Sequence, residues 1–342
     1  MKKDTKSKDD KNLGIKRHSL AHIMALAIKR LYKDVSFGIG PETDNGFYYD
    51  VITKKPITED DLVKIEDEIK KIIKEELNFT KQEIKINEAI KLFTELNQKF
   101  KVELLNDLKN YGTTDQNEII LVKDKKQKKG AKVSTVNIYI LGNIKKDVTI
   151  KELIKNNSIF IDLCRGPHIK NSKDINVDSF KINKVAGAYW RGSEKNKMLT
   201  RVYGLAFNDK YELDEYIKLL VEAEKRDHRK LGKELDLFSV DDYVGAGLIL
   251  WHPKLSLVRE EIELYWRQEH RKRGYSYIYT PHIGLDNLWL TSGHLETFNE
   301  SMFPGMSMET KDKNEKATYY VKPMSCPFHI RIYKSKLRSY QE

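Results

Sequence analysis

Two pairs of residues in this sequence carry side chains that bind metals and move protons. His18 and His22 lie four residues apart in RHSLAHIMAL, and Cys164 and His168 lie four residues apart in DLCRGPH. Three imidazoles and a thiol suit a tetrahedral zinc site. They equally suit a metal-free pocket in which imidazoles position water and stabilise an oxyanion. The spacing does not choose between these two sites, and a lone HxxxH pair is also common on solvated helix surfaces.

The histidine pair is predicted to lie on an amphipathic helix. On a helix, His18 and His22 project from nearly the opposite side to the apolar residues. Those apolar residues recur at the spacing of a buried stripe: Leu20, Met24, Ala27, Ile28 and Leu31. The histidines are therefore not expected to fill the core beneath that stripe.

The cysteine motif is predicted to form a turn at the end of a strand. It follows the apolar run IFI, and the Gly-Pro pair between Cys164 and His168 excludes a regular helix. Asp162, at the end of the strand, adds a carboxylate. The two motifs together indicate one functional site.

The composition excludes several classes of protein. Charged residues make up 33% of the chain and hydrophobic residues 39%. No apolar run reaches the length of a membrane span, and the charged first 17 residues contain no secretory signal. Two cysteines exclude a disulfide framework and favour a reducing compartment. We therefore expect a soluble cytoplasmic protein with no membrane partner.

The charge balance favours a polyanionic partner. Lysine and arginine number 62 against 51 acidic residues, which gives a net charge of +11. This excess favours nucleic acid, although a lysine-rich composition raises the charge of any protein. Two dense basic runs, residues 123–132 and 225–233, are typical of solvated faces that contact phosphates without reading sequence.

The remaining elements follow from periodicity and turn residues. The first two thirds of the chain are predicted to form a hairpin near 37–51, a helix over 58–77 opened by a Thr58–Asp61 capping box, a helix near 87–98, and short strands over 119–180 and 186–207. A charged helix over about 213–235 then connects two units. The second unit is predicted to contain a helix over about 254–273, a strand in YSYIYTPHI, and an unfinished helix after a Cys-Pro turn.

Several long motifs resemble one family in order and spacing. RHSLAHIMA, IGPETDNGFYYD, DLCRGPH and KVAGAYWRGSEKNKMLTRVYG are similar to the editing domain of threonyl-tRNA synthetases, whose histidine and cysteine motifs also occur in alanyl-tRNA synthetase editing modules. RDHRKLGKELDLF, WHPKL, YTPHI, TSGHLETF and KPMSCPFHIRIYKSKLRSY are similar to the first part of the same family's class II catalytic domain. The resemblance runs from about residue 13 to the last residue.

The resemblance implies an α+β protein of two domains. Residues 1–12 would be a disordered charged tail, 13–212 an α/β editing domain, 213–237 a linker helix, and 238–342 an incomplete antiparallel-sheet class II catalytic domain. The sequence ends before motif 2, and motif 3 and the anticodon-binding domain are also missing from it. Half of an antiparallel sheet leaves open edges and apolar faces, so the second unit is expected to be marginally stable alone.

The resemblance also implies a reaction. The family attaches threonine to its tRNA with ATP, and its editing domain hydrolyses serine wrongly esterified to that tRNA. Editing is needed because losing one methyl group gives only about 1–3 kcal/mol of discrimination. By similarity, His18, His22, Cys164 and His168 line the editing pocket, with Asp162 near the amino group or the terminal ribose. A histidine and the terminal 2′-hydroxyl of the tRNA would activate water, with no covalent enzyme intermediate.

Three further residues are assigned by similarity. Lys101 matches a pocket lysine that orients water or the ester carbonyl, and a solvent-facing lysine is the alternative. Tyr189 and Trp190 lie where an aromatic can flank the terminal adenosine, and for Trp190 we expect a place in the core instead.

The resemblance implies cofactors and partners that are divided between the two domains. Cys326 matches one ligand of the catalytic-site zinc, whose other ligands are missing from this sequence, and His329 is expected to be structural. The complete enzyme would use threonine and ATP with Mg²⁺, but the residues that clamp ATP are absent here. No obligatory metal is expected in the editing pocket. The partners would be tRNA(Thr) and a second copy, joined through the helix at about 254–273 and the strand that ends at Pro281.

Three functions are compatible with this pattern. The first is part of a threonine–tRNA ligase in which only editing proceeds unaided. The second is a stand-alone deacylase acting in trans on Ser-tRNA(Thr), for which residues 13 to about 226 suffice. The third is a non-catalytic RNA-binding or dimerising remnant.

Overall fold

The chain divides into two compact units, residues 1–227 (unit 1) and 228–342 (unit 2). The structure, a computed structural model, describes residues 8–123, 133–144, 158–309 and 316–339. Residues 1–7 of the expected tail and residues 124–132 of the first basic run lie outside the described residues. The prediction of a disordered tail up to residue 12 is wrong for residues 8–12, which form the start of the first helix.

Unit 1 combines helices with antiparallel strands. Its helices are α1 (Lys8–Leu31), α2 (Leu62–Lys74), α3 (Ile86–Glu95), α4 (Lys99–Tyr111), α5 (Gln116–Lys123) and α6 (Lys210–Lys225). Its strands are β1 (Ser36–Phe37), β2 (Glu42–Thr43), β3 (Gly46–Ile52), β4 (Phe79–Lys85), β5 (Thr135–Leu141), β6 (Phe160–Leu163), β7 (Phe180–Tyr189) and β8 (Met198–Ala206). This mixed content agrees with the expected α+β class.

The strands of unit 1 form two antiparallel sheets. The larger has the order β1-β3-β8-β7, with β2 also paired to β3 as the predicted hairpin. The smaller has the order β4-β5-β6. Since β3 belongs to one sheet and β6 to the other, side chains from both sheets can meet where these strands face α1.

The main core of unit 1 surrounds α1. From Leu20 to Ile28 every residue except His22 has a side chain at most 1% exposed, and His22 is 2% exposed. The prediction of a one-sided stripe is therefore wrong, because α1 is enclosed on nearly all sides. Leu31, assigned to that stripe, is 42% exposed at the end of the helix.

The start of α2 is predicted well, and α5 is not. The Thr58 backbone N–H donates to Asp61 Oδ2 at 3.2 Å, as expected of the capping pair, and one turn of 3₁₀-helix precedes α2. Residues 119–123, predicted as a strand, lie in α5. A short apolar run such as EIILV is compatible with both a helix and a strand, because five residues are too few to show either the helical repeat or the alternation of a strand.

The connection between the units is not one helix. The predicted helix over about 213–235 is interrupted at residues 226–227, which separate α6 from α7 (His228–Glu234). The division between the two units falls at the same place.

Unit 2 has little core of its own. Its further elements are β9 (Phe238–Val240), β10 (Ile249–Trp251), α8 (Pro253–Lys272), β11 (Ile283–Leu285), α9 (Asp286–Thr291), α10 (His294–Thr297), β12 (Met306–Glu309), β13 (Lys316–Val321) and α11 (Cys326–Tyr333). The strands pair as β10-β9 and as β11-β13-β12. Within the described part of unit 2, Trp289 is the only buried large apolar side chain.

The strand predicted in YSYIYTPHI is mostly absent. Of residues 275–283, only Ile283 belongs to a strand, the three-residue β11. Tyr275 and Tyr279 are 63% and 89% exposed. Residues 275–281 have the composition of a strand but no described strand beside them to complete a ladder. None of the described helices is long and apolar enough to cross a membrane.

Candidate functional site

The two sequence motifs meet in unit 1. His18 and His22 lie on successive turns of α1, and Cys164 and His168 lie on the turn that follows β6. Cys164 Sγ lies 3.3 Å from His18 Nε2 and 3.3 Å from His168 Nε2. The ring centroid of His168 is 4.2 Å from that of His18 and 4.2 Å from that of His22. These four side chains are called the quartet below.

The turn that presents the cysteine depends on Gly166. Gly166 has a φ of 71°, in the left-handed region that favours glycine. A Cβ at this position would lie 2.2 Å from the Tyr139 hydroxyl, so a side chain cannot be added without moving the tyrosine. The Gly166 N–H donates to Cys164 Sγ at 3.2 Å. The turn therefore fixes the thiol as well as the chain direction.

Ser19 fixes the protonation of His168. The Ser19 hydroxyl donates its one proton to the Ile15 carbonyl at 2.8 Å and accepts the Ile169 N–H at 3.0 Å. His168 Nδ1, 3.1 Å from the same oxygen, must then act as the donor. The lone pair of neutral His168 is therefore on Nε2, where it faces Cys164.

A buried polar group supports the quartet from behind. Asp162 and Lys101 are 2% and 3% exposed, and their side chains form an ion pair between Lys101 Nζ and Asp162 Oδ1. The hydroxyl of Tyr49, itself 0% exposed, donates to Asp162 Oδ2 and accepts from Lys101 Nζ at 3.2 Å. His22 Nε2 lies 3.5 Å from Asp162 Oδ2. Both carboxylate oxygens thus have partners from this chain.

Burial keeps the histidines of the quartet neutral. Desolvation lowers the pKa of His18, although the charges of Asp162 and Glu42 oppose this. The pKa of His22 is lowered further, by desolvation, then by the repulsion that a protonated His18 would exert, and by the charge of Lys101. Desolvation also lowers the pKa of His168. Neutral imidazoles can accept protons at neutral pH.

Burial also keeps Cys164 protonated. Desolvation, followed by the negative charge of Asp162, raises the pKa of the Cys164 thiol to about 12. Since the thiolate is the nucleophile, a thiol with such a pKa is a weak one. Cys164 is thus better suited to donate a hydrogen bond than to attack a carbonyl.

The quartet also has the donors of a zinc site. One ligand atom from each of His18, His22, Cys164 and His168 lies within 4.8 Å of the others. A tetrahedral zinc with bonds of about 2.3 Å to sulfur and 2.0–2.1 Å to nitrogen separates those ligands by about 3.5–3.6 Å, slightly more than the two sulfur–nitrogen distances of 3.3 Å. The residues therefore fit a zinc ion. Binding by all four would fill the tetrahedral shell and leave no open position for a reacting water.

An open cavity adjoins the quartet. Its volume is about 420 Å³, and its lining includes Cys164, Arg165, and Leu104 and Leu108 of α4. Such a size suits a nucleoside or another small ligand. A ligand in this cavity would lie beside Cys164.

The other residues singled out by the sequence do not belong to the quartet. Cys326 is exposed at the start of α11, and within the described residues it belongs to no group of three or more potential metal ligands. Trp190 is 5% exposed and packs against Phe100, with ring centroids 4.7 Å apart. Tyr189 is 43% exposed.

Two polar residues of the site were not found from the sequence. Tyr49 lies within FYYD, a strand segment in which successive side chains point to opposite faces of the sheet. The alternation therefore separates Tyr49 from Tyr48, but it does not indicate that Tyr49 has a buried polar partner. Ser19 lies between His18 and Leu20, and nothing in the local sequence marks it as a partner of His168. Only for Tyr49 did the sequence offer a clue, because the alternation of the strand turns its side chain toward α1.

Comparison with known proteins finds that this sequence is similar to aminoacyl-tRNA synthetases. The family described as the threonyl and alanyl tRNA synthetase second additional domain matches residues 136–203. The threonine–tRNA ligase of Sulfurihydrogenibium sp. is 43% identical over 340 residues, which cover 98% of this chain and 46% of that protein. The threonine–tRNA ligase of Aquifex aeolicus is 43% identical over 334 residues, covering 97% of this chain and 45% of that protein.

The comparisons also include a third relative and one solved structure. The threonine–tRNA ligase of Anoxybacillus flavithermus is 44% identical over 330 residues, covering 96% of this chain and 44% of that protein. This chain thus spans slightly less than half the length of these three relatives. The crystal structure of the RNA binding domain of threonyl-tRNA synthetase from Cryptosporidium parvum is 33% identical, with a TM-score of 0.30, and the match covers 34% of this chain and 28% of that one.

Proposed function

Because this chain is a homologue of threonine–tRNA ligases along nearly its whole length, we propose that unit 1 hydrolyses serine wrongly esterified to the threonine tRNA. The observation that carries this proposal is the convergence of three neutral imidazoles and a thiol in front of the buried Asp162–Lys101 pair. Such a site can activate water and stabilise a developing oxyanion.

The residues suggest how the ester bond would break. A histidine of the quartet, helped by the terminal 2′-hydroxyl of the tRNA, accepts a proton from water as its oxygen attacks the ester carbonyl. The carbon–oxygen bond to the ribose then breaks, the ribose oxygen takes up the proton, and free serine leaves. The neutral Cys164 thiol donates a hydrogen bond and forms no acyl-enzyme.

The open cavity beside Cys164 would hold the end of the tRNA. Its volume of about 420 Å³ and its apolar wall from Leu104 and Leu108 suit the terminal adenosine. Arg165, exposed at its edge, can contact a phosphate. Lys101 would act through Asp162 and Tyr49, and orient the groups that contact the ester.

Zinc is not required by this proposal. If bound, an ion held by His18, His22, Cys164 and His168 would supply a Lewis acid, but its shell would be filled by the protein. We therefore expect deacylation to persist when a chelator is present.

Attachment of threonine would belong to a complete enzyme. Threonine, ATP with Mg²⁺ and a zinc ion bound in part by Cys326 are proposed as its ligands, in the cytoplasm where tRNA is charged. The partners of this chain would be tRNA(Thr) and a second copy. For the dimer, α8 offers exposed apolar side chains that include Leu257, Ile262 and Trp266, and the segment ending at Pro281 adds Tyr279.

Editing in trans is the second candidate function. It is favoured by the concentration of the site and of nearly all buried apolar side chains in unit 1. A non-catalytic remnant would not need the quartet to be brought together beside the buried Asp162–Lys101 pair.

Deacylation of mischarged tRNA tests the proposal. The purified 342-residue chain is expected to release serine from Ser-tRNA(Thr) and to leave Thr-tRNA(Thr) mostly intact. The double variant His18→Ala/His22→Ala should lose the activity. His252→Ala, whose imidazole contacts Asp236 and Ser239 in unit 2, is the matched control and should keep it. No serine release by the unaltered chain would refute the proposal, as would an acyl adduct on Cys164.

A further inference from the structure

Ser19 is a fully buried serine inside α1, where alanine would be the better helix former. Its hydroxyl has one proton and two lone pairs. The Ile15 carbonyl accepts the proton, and the Ile169 N–H and the His168 imidazole donate to the lone pairs. The hydroxyl therefore has no other arrangement in which all three contacts remain hydrogen bonds.

The ring of His168 carries this constraint to the thiol. Phe79 stacks on the ring with centroids 4.9 Å apart, and Tyr139 meets it edge to face at 4.6 Å. With Nδ1 bound to Ser19, Nε2 is the nitrogen that faces Cys164, 3.3 Å from the sulfur. Because Nε2 has no proton in this tautomer, the contact is a hydrogen bond only if the thiol donates.

The same thiol faces a second imidazole. His18 Nε2 also lies 3.3 Å from the sulfur, and burial keeps the single thiol proton in place. While Cys164 donates that proton to His168, the proton does not occupy the Nε2 lone pair of His18. If His168 carried its own proton on Nε2, it would donate to the sulfur instead, and the thiol proton would turn toward His18. The bond to Ser19 excludes this second arrangement.

We propose that Ser19 is a positioning residue of the deacylation site, which directs the thiol proton of Cys164 to His168. The imidazole of His18 is thereby left open to accept a proton from water. This inference rests on the proposed deacylation, in which a histidine of the quartet performs that step. Since Ser19 is fully buried, it does not touch the ester, and it acts on the rate of the reaction rather than on binding.

Nitrogen NMR of the full chain labelled with ¹⁵N-histidine tests the tautomer directly. Imidazole nitrogens with and without a proton give well-separated signals, and a His168→Gln variant identifies those of His168. A chelator is included so that the signals report the metal-free chain. His168 is expected to carry its proton on Nδ1 in the unaltered chain. In Ser19→Ala, where Nδ1 loses its acceptor, the proton should shift toward Nε2.

Ser172 provides a matched control for the kinetics of serine release. It is also fully buried, and its hydroxyl donates to the carbonyls of Ile72 and Ile73 and accepts the Leu77 N–H, with no histidine among these partners. Ser19→Ala should lower kcat by about tenfold or more, because general acid–base catalysis contributes about 10²–10⁴-fold, and should leave KM unchanged. Ser172→Ala removes the same kind of hydroxyl and should keep kcat.

A conservative variant and the possible results separate this role from a structural one. Ser19→Thr keeps a hydroxyl that can bond the preceding turn of a helix, so it should recover most of kcat and the Nδ1 tautomer. A proton on Nε2 of His168 in the unaltered chain would overturn the inference, as would an Nδ1 tautomer that persists in Ser19→Ala. Equal losses of kcat in Ser19→Ala and Ser172→Ala would overturn it too. Absence of serine release by the unaltered chain would instead refute the proposed function, and with it the role of Ser19.

Discussion

At the scale of single residues, the Tyr49 hydroxyl joins the two buried charges of the site. It donates to Asp162 and accepts from Lys101, and burial together with the Asp162 charge raises the pKa of Tyr49 well above its usual value. Tyr49→Phe removes that oxygen alone. Leaving buried polar groups without a partner costs about 1–3 kcal/mol, so we expect a roughly tenfold or greater fall in the deacylation rate constant.

Tyr48 supplies the matched control for this measurement. It is the next residue on β3, points to the other face, and packs its ring against the Arg201 guanidinium at 3.9 Å. Tyr48→Phe removes a hydroxyl remote from Asp162 and should leave deacylation unchanged. Equal losses in the two variants would show that Tyr49 acts only through general stability.

The protonation of Cys164 gives a second prediction at this scale. With a pKa of about 12, the thiol is about one part in ten thousand ionised at pH 8, whereas a free cysteine with a pKa of about 8.5 is about one quarter ionised. In a Cys326→Ser background, alkylation by iodoacetamide at pH 8 should be more than about a hundredfold slower than for a free thiol. The rate should rise as the pH is raised.

Unfolding the same variant provides the control. In concentrated urea Cys164 is solvated, so its alkylation should reach the rate of a free cysteine. Rapid alkylation of the folded chain would show an activated thiolate and would reopen an acyl-enzyme route.

At the scale of elements, the tip of the β7–β8 hairpin holds α4 and hence Lys101. Trp190 packs against Phe100 and Leu199, and its indole N–H donates to Glu103 at 3.2 Å. Arg191 reaches Asp107 of the same helix at 2.6 Å. Removing a buried tryptophan typically costs about 3–5 kcal/mol, so Trp190→Ala should lower the free energy of unfolding of unit 1 by a similar amount.

Circular dichroism during urea unfolding measures this effect. Tyr189→Ala, at the exposed neighbouring position, is the control and should change the stability by less than about 0.5 kcal/mol. Weaker tRNA binding by Trp190→Ala without a change in stability would instead indicate that the indole stacks on a nucleotide.

Sequence periodicity predicts the elements that have strong local signals and misses those that depend on neighbours. The capping pair before α2 and the Asn-Gly turn before β3 are encoded within a few residues, and both are present. The sequence indicated no element for residues 99–111, although α4 carries Lys101. EIILV was assigned to a strand, although an apolar run this short is compatible with either a helix or a strand. In the folded chain it forms a helix.

In the candidate site, too, the residues with a local sequence signal were predicted and those that depend on distant contacts were not. The sequence identified His18, His22, Cys164 and His168 as side chains with suitable chemistry, and the Gly-Pro turn after β6 is where it was expected. Tyr49 and Ser19 act through contacts with residues distant in the chain, so no local pattern reveals them. The burial of Lys101, on α4, likewise depends on Asp162, which lies on β6, 61 residues further along the chain.

At the scale of the whole molecule, the two units differ in how much apolar surface they bury. The described residues of unit 1 form three clusters of buried side chains, whereas Trp289 is the one buried large apolar side chain in the described part of unit 2. Burial of apolar surface is the main source of folding stability. Unit 1 is therefore expected to remain folded under conditions in which unit 2 opens.

Limited proteolysis with chymotrypsin tests this difference, because the enzyme cuts after exposed aromatic residues and leucine. Tyr243, Tyr279 and Leu337 of unit 2 are each more than 85% exposed. Cleavage is expected to remove unit 2 first and to leave a resistant fragment that ends near the division at residue 227. Because the whole candidate site lies in unit 1, that fragment should retain serine release from Ser-tRNA(Thr) at a rate within about twofold of the intact chain. Loss of the activity at the same rate as loss of unit 2 would mean that unit 2 contributes to editing, and would rule out a stand-alone deacylase.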